Sequence, residues 1–156
     1  MKTFYTLLLA FGLCFTVHAQ EMFYVKHDGQ LLGINQEDED FVNNYFYGDS
    51  TSIIVGDFIE YRDPHTLGVF KHIYVKDVNY FGLLDSTSLD LEKIEMLSVD
   101  SKNRDINLDQ EILIRLADLK ILYIMNVKNI QDLNILVSSL NSLFPSLKVI
   151  VRISNF

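Results

Sequence analysis

The sequence predicts an α+β fold: an N-terminal β-hairpin lobe with one short helix, packed on a C-terminal β-α-β-α-β unit whose strands run parallel. Three observations predict it. Apolar strand-like cores recur at Ile94, Leu119 and Leu147, and stripes at helical spacing separate them. Composition also shifts near Leu83: residues 22–82 hold twelve aromatics and three leucines, and residues from 83 onward hold three aromatics and fifteen leucines. Finally, no Pro/Gly/Ser-rich linker separates the halves, so the expectation is one compact body divided as 1–19, 20–82 and 83–156.

Residues 1–19 read as a secretory signal. Lys2 is the charged start, Leu7 to Val17 is apolar, and Val17-His18-Ala19 is a small-residue cleavage site. The apolar run falls short of the roughly 20 residues that span a bilayer. Cys14 is the only cysteine and lies in this segment, preceded by Leu13 rather than the small residue of a lipidation signal. Cleavage after Ala19 leaves a cysteine-free chain, and no Asn-x-Ser/Thr sequon is present. Both features fit a bacterial periplasmic or secreted protein with no stable membrane anchor.

Of the 13 Lys and Arg residues, Lys2 leaves with the signal, so 12 basic residues stand against 21 acidic ones, a formal charge of −9. That balance disfavours nucleic acid and anionic surfaces, which reward basic patches by counterion release.

Within residues 20–82, stretches 22–27 and 30–34 flank Asp28-Gly29, a strong hairpin signal because type I′ turns need positive φ. Asn35 is placed to cap a helix that begins Gln36-Glu37-Asp38-Glu39-Asp40, where acids oppose the helix dipole. Phe41 and Tyr45 share its face and Gly48 stops it. Stretches 51–61 and 66–78, joined by Arg62-Asp63-Pro64-His65, read as a second, longer hairpin. Its alternation is mixed, so the pattern does not choose the buried face.

In residues 83–156, Asn107 is expected to cap a helix carrying Leu108, Ile112, Leu116 and Leu119. A second helix follows Asn129, with Ile130, Leu133, Leu136, Val137, Leu140 and Phe144 on one face and Pro145 as its stop. Capped amphipathic helices between apolar strands imply crossover connections and a parallel sheet.

These units resemble leucine-rich repeats over about 60 residues. Leu119, Leu122 and Ile124 fit the apolar positions, with Val127 at the asparagine position and Asn126 one residue early. Ile94, Leu97 and Val99 also fit, with Lys102 replacing asparagine. Leu147, Ile150 and Asn155 fit the last unit, but Arg152 replaces its third leucine. The resemblance implies that the alternate strand residues line an open concave surface: Met96, Ser98 and Asp100, then Ile121, Tyr123 and Met125, then Val149, Val151 and Ile153.

Seven of those nine are apolar. Leaving them in water would forfeit roughly 10–20 kcal/mol, so a cover is expected, either the aromatic N-terminal lobe or a partner protein. The candidate binding residues are Met96, Ser98, Asp100, Tyr123, Met125 and Val151.

No catalytic motif, nucleotide loop or cofactor signature is present. Asp57, Glu60, Asp63, His65 and His72 offer metal-type ligands near the second hairpin, and Glu37 to Asp40 offer acids, but both sets read as solvated surface, so no metal and no cofactor is expected. The functional expectation is non-enzymatic protein recognition or an envelope role. The alternatives are an inhibitor-like or immunity-like partner of a secreted effector, and a small carboxylate/histidine hydrolase.

Overall fold

The computed structural model describes residues 22–25, 31–48, 50–63, 69–127 and 130–153. The signal segment, His27, the Asp28-Gly29 turn, Pro64-His65, Asn129 and Asn155 lie outside the described residues.

Eight strands form one sheet: β1 Met22–Val25, β2 Leu31–Gly33, β3 Ser52–Val55, β4 Ile59–Arg62, β5 His72–Val75, β6 Met96–Asp100, β7 Ile121–Met125 and β8 Lys148–Arg152. Their order is β2-β1-β8-β7-β6-β5-β3-β4. The inner run β3-β5-β6-β7-β8 is parallel throughout. Hairpins finish both sides: β1 joins β8 antiparallel with β2 outside it, and β4 joins β3 antiparallel. Among the described residues, three helices, α1 Gln36–Tyr47, α2 Gln110–Ile114 and α3 Ile130–Leu143, and a 3₁₀ segment over Val78–Ser86 complete the α+β architecture.

Two expectations change at this level. The N-terminal hairpins extend the sheet rather than lie on it as a layer. The second hairpin forms within the run 51–61, where Gly56-Asp57 makes the turn and the Gly56 N–H donates to the Phe58 carbonyl. β5 is parallel to β3, not the return strand of a hairpin.

The parallel strands stack in register. Ile53, Ile73, Leu97, Leu122 and Val149 form one row across the sheet, and Val55, Val75, Val99, Ile124 and Val151 form the next. This face packs under the 3₁₀ segment, α2 and α3 through Val78, Phe81, Leu84, Ile112, Leu116, Leu133 and Leu140, all buried. From β5 to β8 the strand starts lie 24, 25 and 27 residues apart.

The helices close as their caps dictate, with one shift. Asn35 accepts from the Asp38 N–H at 2.8 Å, and α1 ends at Gly48. The expected cap at Asn107 is instead Asp109, whose carboxylate accepts from the Glu111 N–H at 2.8 Å, and α2 is only one turn and a half long. Pro145 falls just past α3, which stops at Leu143.

Candidate functional site

The opposite face carries the residues singled out from sequence. Met96, Ser98 and Asp100 of β6 and Tyr123 and Met125 of β7 share it, and all five are buried. Val151 does not join them. The register sets Tyr123 beside Ile150 and Met125 beside Arg152, so Val149 and Val151 point to the α2/α3 side and Lys148, Ile150 and Arg152 to this one. In a run of five residues with apolar side chains in both phases, one step of register exchanges the faces, and the pattern carries no signal to choose.

The cover is α1. Val42 and Tyr45 bury against Met96, Ile121, Tyr123, Met125 and Ile150. Phe46 sets its ring edge-on to His72, Tyr74 and Tyr123, with centroids 5.3, 5.3 and 5.6 Å apart. The helix lies across the strands as a strap. At its first turn Asp38 receives Lys148 of β8 at 2.8 and 3.1 Å. At its end Arg62 of β4 donates to the Phe46 carbonyl at 3.1 Å and the Gly48 carbonyl at 2.7 Å. An acid at the amino end and a cation at the carboxyl end both favour the helix dipole. In its last turn, the Tyr45 hydroxyl donates to Glu95, which also receives Lys71 at 3.1 Å and Lys120 at 3.3 Å. Burial, then the Glu95 carboxylate, push the Tyr45 phenol up to about 12. Partial burial works to raise the Glu95 pKa, yet the bonds from Lys71 and Lys120 outweigh it and hold the carboxyl below its ordinary value.

Beneath the strap lies a polar row. His72 is 1% exposed, with Nδ1 3.1 Å from the Ser52 hydroxyl and Nε2 2.8 Å from the Ser98 hydroxyl. A neutral imidazole has one donor and one acceptor nitrogen, and each meets a hydroxyl that can play either part. Burial, with the Arg62 charge second, pushes the ring down to about 3. The Ser98–His72 distance is that of a nucleophile and its base. Three features argue against catalysis: Ser98 is 0% exposed, Tyr45 and Phe46 roof the pair, and a base with so low a pKa accepts protons poorly at neutral pH. The row works as a cross-strand bridge between β3, β5 and β6.

Asp100 is likewise spent on structure. Its carboxylate accepts from Asn126 Nδ2 at 2.8 Å and the Lys102 N–H at 2.9 Å, and pairs with Lys102 Nζ at 3.0 Å. These bonds tie the loop after β6 to the one after β7, and Lys102 and Asn103 in the first and Asn126 in the second have positive φ, at 50°, 59° and 56°.

Of the metal-type residues near β4, His65 lies outside the described residues, and the described ones are engaged elsewhere. His72 is locked inside, Glu60 pairs with Lys76 at 2.9 Å, and Asp57 accepts from the Tyr80 hydroxyl. Among the described residues no group of three His, Cys, Asp or Glu side chains is placed to hold a metal ion. Asp38 and Asp40 of the acidic run bond to Lys148 and Gln36.

What the surface does offer is at the sheet edge. Phe58 is 67% exposed, Tyr61 56% and Val69 43%, and the Tyr61 ring lies 5.4 Å from that of Phe70. Among the described strands β4 pairs only with β3, so no other described strand covers its outer edge. Sequence reasoning passed over this patch because it ran 51–61 together as one strand. The Gly56-Asp57 pair inside that run was the available signal.

The chain is thus of the α+β class, with a mostly parallel sheet covered on both faces. Comparison with protein-family models, with curated proteins and with solved structures found no match. No helix among the described residues is long and apolar enough to cross a membrane.

Proposed function

We propose that the chain is an exported, non-enzymatic recognition domain that engages a partner protein through the β4 edge. The observation that carries this reading is the exposure of Phe58 and Tyr61 beside a strand edge that no other described strand covers. Aromatic side chains concentrate binding energy at interfaces, and a free edge lends main-chain hydrogen bonds to an incoming extended segment. The concave face of a leucine-rich-repeat-like stack would be the expected docking surface, but here α1 fills it, which favours the edge. The even strand intervals from β5 to β8 support reading these units as leucine-rich-repeat-like. An inhibitor-like or immunity-like role is a special case of the same reading.

The test is a photo-crosslinking residue at position 58, introduced in producing cells, with Ile114, 57% exposed, as the control position. A discrete adduct with one heterologous protein at 58, absent at 114 and lost in a Tyr61→Asp background, is the expected result. No adduct, or the same adducts at both positions, overturns the proposal. Fractionation of the same cells checks export: the shortened chain belongs outside the cytoplasm.

A further inference from the structure

His72 is buried by two kinds of neighbour. Within the sheet, the hydroxyls of Ser52 on β3 and Ser98 on β6 hold its ring nitrogens at 3.1 and 2.8 Å. From outside the sheet, α1 closes over it, with the Tyr45 ring 5.6 Å and the Phe46 ring 5.3 Å from the imidazole, both edge-on. Lifting α1 therefore opens the ring to water and leaves the ladders from β5 to β3 and β6 in place.

The helix itself is weakly built. It has 12 residues, a length at which an isolated helix is marginal in water. Val42, Asn43, Asn44, Tyr45 and Phe46 are all poor helix formers. Its polar ties to Lys148 and Arg62 are largely exposed on the cationic side and contribute modestly. What holds α1 down is the apolar contact of Val42, Tyr45 and Phe46 with the strands, and His72 lies under that contact.

The groups around the imidazole fix the sign of its response to acid. β3 and β6 present the neutral Ser52 and Ser98 hydroxyls. Arg62 of β4 sets a permanent positive charge against the ring. Tyr45 of α1 is a phenol pushed up to about 12, and burial raises Tyr74 of β5 as well. Glu95, just ahead of β6, is bonded to Tyr45, Lys71 and Lys120, and its carboxyl is held below its ordinary value. Among the described residues no carboxylate is bonded to the ring, so a covered imidazolium lacks a counter-charge. Burial, then Arg62, push the ring down to about 3, against a smaller opposing pull from the Tyr45 backbone. The covered state is therefore favoured above pH 6.5 and loses ground as pH falls from 6.5 toward 3.

We propose that α1 is an acid-released strap: once it lifts, His72 takes up a proton that the covered ring refuses, and that proton holds α1 off the face of Tyr74, Met96, Tyr123 and Met125. The device goes beyond recognition at the β4 edge and does not depend on it. The test is hydrogen exchange followed by mass spectrometry on the whole chain from pH 8 to pH 5, corrected for the intrinsic rate of amide exchange. Residues 36–47 are expected to open far more often than β7 at every pH. Their open population should be level above pH 7 and rise about tenfold from pH 7.5 to pH 5.5, as an ordinary value of 6.5 requires of a group that stays neutral while covered. His72→Gln should abolish the rise, because glutamine keeps a donor and an acceptor for the two serines and takes no proton. A second variant, His27→Gln/His65→Gln, keeps His72 and should keep the rise. Protection of residues 36–47 equal to that of β7, no rise before pH 5.5, a rise that survives His72→Gln, or one that disappears in His27→Gln/His65→Gln overturns the proposal.

Discussion

His72 shows how a single side chain couples this fold to pH. Its folded pKa, about 3, lies below the ordinary 6.5. A depressed folded pKa means that the stabilisation is complete above the unfolded value and is lost as pH falls through the window from 6.5 toward 3. Between pH 7 and pH 4.5 this one group should remove about 2–3 kcal/mol. Urea unfolding at the two pH values checks it: His72→Gln should be less stable at pH 7 and lose markedly less than wild type on acidification. An equal loss in both proteins would place the acid sensitivity elsewhere. Ser98→Ala tests the bridge itself. With Nε2 left unpaired in the interior, about 1–3 kcal/mol of stability should go at pH 7. Tyr123, 2% exposed and facing Phe46, tests the covered face. Tyr123→Asp buries an unpaired carboxylate and should abolish cooperative unfolding by circular dichroism.

At the scale of elements, α1 decides what the strand face can do. Its two ends are tied to strands on opposite sides of the sheet, by Lys148 to Asp38 and by Arg62 to the carbonyls of Phe46 and Gly48. Both cations are substantially exposed, so each tie contributes modestly. Arg62→Ala should cost about 1 kcal/mol and speed amide exchange across residues 36–47, leaving β6 and β7 as slow as before. Equal acceleration in α1 and β7 would mean that the helix does not open alone. The β8 register belongs to this scale too. Lys148 pairs with Asp38 only because β8 turns its even-numbered residues toward α1, the phase that the apolar run 149–151 leaves open.

For the whole molecule, stacking strand upon strand predicts graded stability. β6 and β7 have parallel neighbours on both sides and five buried residues each, whereas β2 has three residues and β4 an exposed edge. Hydrogen exchange should be slowest in β6 and β7 and quicken outward in both directions. Phe58→Asp/Tyr61→Asp should leave the free energy of unfolding in urea within about 0.5 kcal/mol of wild type, since the exposed faces of both rings contribute little to the core. A large destabilisation would make the patch a folding element rather than a surface for a partner.

The amino-acid sequence alone determined the elements with strong local causes. Asn35 and Gly48 bound α1, Pro145 follows α3, and apolar runs became β6, β7 and β8 in the expected parallel arrangement. It also determined that the alternate face of β6 and β7 must be covered, because Met96, Tyr123 and Met125 are too apolar for water. Only the tertiary structure decided that α1 is the cover, that His72 bridges Ser52 and Ser98, that Val151 faces the other way, and that β5 runs parallel to β3. Caps and breakers act within a few residues and leave a local mark. Strand partners and register are chosen by contacts between residues far apart in the chain, among pairings that the period-two pattern leaves equivalent.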